Sequence, residues 1–164
     1  MAHLIDGTIG VDLTRQVAGT STDGANAEFT LGSHHAGSDN STWVYVQAGA
    51  AITAFDCVAI DENYQAVAAT KALIDAGHTP GFAQAAFDDN DLGWVATKGS
   101  NISCRVGISC AADVQLYTTS TAGVLDDTAA SQTAIRGVVA VAANTSAVAA
   151  VEVIATFPSG TATA

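Results

Sequence analysis

The chain has 164 residues, the size of one ordinary domain, with 49% apolar and 13% charged residues and a formal net charge of -11. That apolar content excludes intrinsic disorder for the bulk of the chain, and no apolar run approaches the ~20 residues that cross a bilayer. Five scattered basic residues (Arg15, Lys71, Lys98, Arg105 and Arg136) stand against 16 acidic ones, which argues against nucleic-acid phosphates or an anionic membrane surface as partners.

No basic patch followed by an apolar block opens the chain, so no secretory signal is expected. Ala is the commonest residue, but its companions are Val, Thr and Gly rather than Leu, Lys and Glu. That mixture suits short strands and tight turns better than helices.

Residues 1–41 read as an extended N-terminal arm and linker. Near its tip Ile9, Val11 and Leu13 alternate with Gly10, Asp12 and Thr14, a short stretch of strand periodicity. From Gly19 to Gly37 the arm is dominated by Gly, Ser, Thr, Asn, Asp and Ala, with one short apolar break at Phe29 and Leu31, and reads as flexible or extended rather than as core.

A compact β domain is expected over residues 42–157. Strands are predicted at 42–47, 56–60 and 64–69. One short helix follows, with Thr70 as its N-cap, Gly77 as its left-handed stop and Pro80 just beyond; Leu73 and Ala76 share a face. The spacing of segments 82–87 and 92–97 predicts a hairpin, joined by the turn Asp88-Asp89-Asn90-Asp91. Ile102, Cys104, Val106, Ile108 and Cys110 alternate with polar or small residues, which predicts one half-buried strand from Ile102 to Cys110. Further strands are predicted at 114–118, 123–125, 135–142 and 148–157, and residues 158–164 as a frayed C-terminal tail. The expected fold is therefore all-β: a small barrel or sandwich of short strands with one short helix and an extended N-terminal arm.

The candidate chemistry is sparse. Cys104 and Cys110, six residues apart on one straight strand, would lie about 20 Å apart, whereas a disulfide needs Cα atoms within about 7 Å. A Cys57 bridge to either stays geometrically open, but the reading is three buried thiols and no intrachain disulfide. His34 and His35 are adjacent and point opposite ways; His78 sits in a turn and His3 near the terminus, so all four read as loop histidines rather than metal ligands. The Asp88–Gly93 run fails as a calcium loop, because Leu92 and Gly99 fall where a ligand and a Glu are required. Asp126 and Asp127 read as a solvated turn. There is no G-x-S-x-G elbow, P-loop, G-x-G-x-x-G or H-E-x-x-H, so neither catalytic residues nor a metal or organic cofactor is expected.

The segment from Gly37 to Ile52, the run Gly81-Phe82-Ala83-Gln84-Ala85-Ala86-Phe87 followed by Gly93-Trp94-Val95-Ala96, and the stretch Ala111 to Thr119 resemble, in this order, the capsid decoration proteins of tailed bacteriophages, also called cement or head-stabilising proteins. The resemblance covers residues 28–157. It implies a non-enzymatic structural virion protein, made in the bacterial host cytoplasm, that sits on the outer capsid surface between major capsid proteins and associates as a homotrimer. The contrasting readings are a head fibre or receptor-binding module, using Trp43, Tyr45 or Tyr117 if exposed, and a small β-barrel enzyme whose site is assembled only in space. Ile9, Val11 and Leu13 are the capsid-contact candidates: a short strand without a partner in its own domain could add to another protein's sheet edge.

Overall fold

The computed structural model describes residues 11–20, 24–37 and 39–161. Strand accounts for 46% of the chain and helix for 3%, so the all-β expectation holds. In chain order the elements are β1 (Gln16–Val17), β2 (His34–Ala36), β3 (Thr42–Ala48), β4 (Cys57–Ile60), β5 (Gln65–Ala68), α1 (Lys71–Asp75), β6 (Thr79–Ala83), β7 (Leu92–Val106), β8 (Gln115–Thr118), β9 (Leu125–Asp126), β10 (Ala134–Ala140) and β11 (Ala149–Thr161).

The architecture turns on β7, whose two halves serve two different rings of strands. Its first half pairs antiparallel with β3 on one side and β6 on the other. β6 pairs with β4, β4 with β5, and β5 returns parallel to β3, which closes a five-stranded barrel. The second half of β7 pairs with β11, β11 with β10, β10 with β8, and β8 with β9. β9 comes back to β7 through the single residue pair Val106↔Leu125, one pair fewer than the thinnest seams of the first ring.

The first barrel is filled by the inward side chains Val44, Val46, Val58, Ile60, Ala66, Ala83 and Val95, with Ile52 and Phe87 bridging one end. Gly93 makes room for that end: a Cβ there would stand 2.7 Å from the Phe87 ring. The outward faces of the same strands are buried too. Trp43, Tyr45, Cys57, Phe82, Leu92 and Trp94 belong to a second core that continues through Ile102, Cys104, Val106, Leu116, Ile135 and Val153 into the other ring. Burial on both faces explains why β3 and β4 carry near-continuous apolar runs instead of a clean alternation.

The two rings are also joined by charge. Arg105 on β7 donates to the Asp56 carboxylate at 2.6 Å, and Asp56 is buried in the loop before β4. The Arg105 amide donates to the Phe55 carbonyl at 2.8 Å. The helix forms where expected: Thr70 caps it by accepting from the Leu73 amide, and Gly77 follows at φ +96°. Its buried residue is Ile74, while Ala76 faces solvent, so the contact face is rotated from the one predicted. Lys71 and Asp75 both reach Thr133, which ties the helix to the start of β10.

Four expectations need correction. The strand predicted over Ile102–Cys110 ends at Val106, because the chain turns with Ser109 at φ +67° and leaves Ile108 61% exposed. The second strand of the predicted hairpin, 92–97, runs without a break into the strand predicted from Ile102, making one continuous β7, and the first strand is Thr79–Ala83 rather than 82–87; Phe87 is drawn off to bridge Ile52. The tail does not fray at Pro158: Pro158 is buried, and Ser159, Gly160 and Thr161 pair with Arg136, Ile135 and Ala134. The arm is not free of its own domain. β1 pairs with β7, β2 pairs with β3, and Val11, Leu13, Val17, Ala27, Phe29 and Leu31 pack against the core.

Candidate functional site

Of the three capsid-contact candidates, Ile9 lies outside the described residues. Val11 and Leu13 are half-buried against the chain's own core, and Leu13 and Thr14 form a turn where a strand was expected. Asp12 makes that turn by accepting from the Thr14 amide and hydroxyl, a local alternative to strand pairing that the side-chain alternation conceals. The premise of an unpartnered strand therefore does not hold at Val11 and Leu13.

The arm is anchored by an aromatic cluster. Phe29 meets Trp94 at 5.2 Å and Tyr45 at 5.3 Å between ring centroids, and His35 stands edge-on to Trp94 at 4.8 Å. Arg15 and Glu28 pair at 2.6 Å across the arm's own fold-back. The sequence signal for this docking was Phe29 with Leu31, the one apolar break in a polar stretch. Of the three aromatic residues offered for receptor recognition, Trp43 and Tyr45 are buried core residues and Tyr117 is half-buried. The Tyr45 hydroxyl is buried and has no hydrogen-bond partner among the described residues, and burial raises its pKa.

The three cysteines are buried free thiols, and burial, with Asp56 nearby, pushes Cys57 up to about 12. Cys104 is raised well above the ordinary thiol value by burial and by the neighbouring thiol of Cys57, and Cys110 is raised by burial and by Asp127 and Asp126. A reactive cysteine requires the opposite shift. The Asp88–Asp91 run is the turn expected: the Asp91 carboxylate accepts from the Asp88 amide, and the Asn90 amide donates to Ala48.

Asp126 and Asp127 are less isolated than the sequence suggests. Cys110, Asp126 and Asp127 bring one donor atom each within 4.8 Å of one another. The turn at Ser109 delivers Cys110, the buried Asn144 amide holds the Cys110 carbonyl, and Asp127 accepts from the Ala111 amide. Burial, with the adjacent carboxylate, raises the Asp126 pKa. A thiol and two carboxylates are donors a divalent cation accepts, but a raised thiol pKa works against the thiolate that soft metals require.

The described surface has shallow clefts, one of which, about 360 Å³, is lined by Asp61, Glu62, Tyr64 and His78 among others. Asp61 is already engaged there, accepting from the Asn63 and Gln65 amides. The Nδ1 atom of His78 is buried without a hydrogen-bond partner among the described residues. Two smaller clefts, about 170 and 180 Å³, lie beside Pro158 and around Asp126 with Thr118 and Thr128.

The exposed apolar residues gather instead on the second ring. Val139 and Ile154 are register partners on the outward face of β10 and β11, Val141 and Val148 flank them, and Phe157 is 75% exposed. Searches of protein-family models and of curated proteins return no match for this chain. Among the described residues, no helix is long and apolar enough to cross a membrane.

Proposed function

We propose that this protein is a non-enzymatic structural component of a bacteriophage virion that decorates and stabilises the outer capsid surface by binding between major capsid proteins. The observation that carries the reading is the ordered resemblance of the segments Gly37–Ile52, Gly81–Phe87, Gly93–Ala96 and Ala111–Thr119 to capsid decoration proteins. Those segments contribute β3, β6 and β7 of the closed barrel and β8 of the second ring.

Three physical features support it. A barrel buried on both faces is a stiff body suited to a passive mechanical role. A net charge of -11 favours solubility at the high copy number that a shell coat needs. The outward apolar residues of β10 and β11 offer contact surface on the side away from the barrel. On this reading the protein self-associates, as a trimer, and takes no cofactor.

The test is addition of the purified protein to expanded heads that lack it, with occupancy read by cryo-electron microscopy. Ordered density at fixed lattice positions, with increased resistance of the heads to heat or chelation, is the expected result. Heads that remain bare at saturating protein overturn the proposal.

A further inference from the structure

We propose that Phe157, with Lys98 beside it, is the anchor through which one copy of this chain binds a second copy head to tail. The proposal starts from a break in periodicity. Along β11 the inward residues are Val151, Val153 and Ala155, so a regular strand would bury residue 157 and expose residue 158. The reverse is observed: Thr156 and Phe157 are both exposed and Pro158 is buried.

A β-bulge performs the reversal. The β10–β11 register shifts between Arg136 and Val138; Gly137 sits there at φ +77°, where a Cβ would stand 2.5 Å from the Thr156 carbonyl oxygen. Phe157 itself sits at φ +51°, a conformation that a bulky L residue rarely adopts. The fold thus holds an aromatic ring outward in a strained conformation, and bulges of this kind re-aim side chains. Trp43, Tyr45, Phe82, Phe87 and Trp94, by contrast, are all buried.

The occupant follows from charge. The Lys98 ammonium lies 5.0 Å from the Phe157 ring centroid. Arg15, Lys71 and Arg105 each pair with a carboxylate of their own chain, whereas Lys98 has its cation over a ring. An aromatic beside a single cation, Lys98, is therefore presented by a chain with 16 acidic and 5 basic residues. The rest of a second copy's surface supplies the complementary field. A symmetric face-to-face contact would set Lys98 against Lys98, so the favoured contact is heterologous, the type that closes rings when its rotation permits. Ile154 and Val139 extend the apolar part of the patch along the strand.

This supplies the self-contact that the proposed decoration role calls for, but it is tested without heads. Sedimentation of the full chain from low to high micromolar concentration should show association that weakens with salt. Phe157→Gly removes the ring while accepting the positive φ; it should keep or raise the thermal midpoint and weaken association by about tenfold or more. Lys98→Glu should weaken it as well. A wild-type chain that stays monomeric at every concentration, or a Phe157→Gly variant that associates as the wild type does, overturns the proposal. A monomeric wild type whose Phe157→Gly variant alone fails to occupy heads also overturns it, and assigns the face to the shell protein.

Discussion

The two rings share a strand yet differ in how they are held. The first closes through ladders of two to six residue pairs on every side, and both of its faces are covered, one by its own interior and the other by the arm and the second ring. The second closes through one pair, Val106↔Leu125, and its irregular β8–β10 seam is bridged by the Gln115 amide donating to the Ile135 and Val138 carbonyls. Its outward face carries Val139, Ile154 and Phe157 in solvent. The difference teaches where this chain can spend surface: a ring covered on both sides is scaffold, and a ring covered on one side is available for contact.

The comparison is broken most severely at the shared core. Trp94→Ala removes the ring that holds Tyr45, Phe29 and His35 together, and is expected to cost about 3–5 kcal/mol by denaturant unfolding. Asp56→Ala leaves Arg105 without its carboxylate between the rings and should cost about 3 kcal/mol; a loss under 1 kcal/mol would mean that the rings are held by packing alone. Phe29→Ala, partly buried in the arm, is expected to cost about 2 kcal/mol and to speed proteolytic cleavage within residues 11–37; unchanged cleavage would restore the free-arm expectation.

Smaller effects sharpen the contrast. Asp126 has a folded pKa raised by burial, so its protonated form favours the fold: the stability it contributes is present below its unfolded pKa and is lost as pH rises through the folded value. Asp126→Asn should therefore raise the thermal midpoint slightly at pH 7 and lose that advantage below about pH 4, the ordinary carboxyl range. Ile154→Thr, on the outward face, should change stability by no more than about 0.5 kcal/mol, since it alters neither the inward packing nor the strand preference.

Local pattern determined a good deal by itself. The β-branched and aromatic runs placed β3, β4, β5 and the two halves of β7 as separate strands, and Thr70 with Gly77 bounded the helix, because strand faces and caps depend on neighbours within a few residues. The buried state of the three cysteines followed from the same composition. Tertiary structure alone decided the rest. That β7 serves two rings, that Phe29 docks the arm onto Trp94, and that Pro158 is buried while Phe157 turns outward all depend on partners far away in sequence. The meeting of Cys110 with Asp126 and Asp127 required the turn at Ser109, which the side-chain alternation from Ile102 onward concealed. Periodicity reports which residues share a face; it does not report which strand covers that face, or where a bulge reverses it, because those choices are made by long-range pairing.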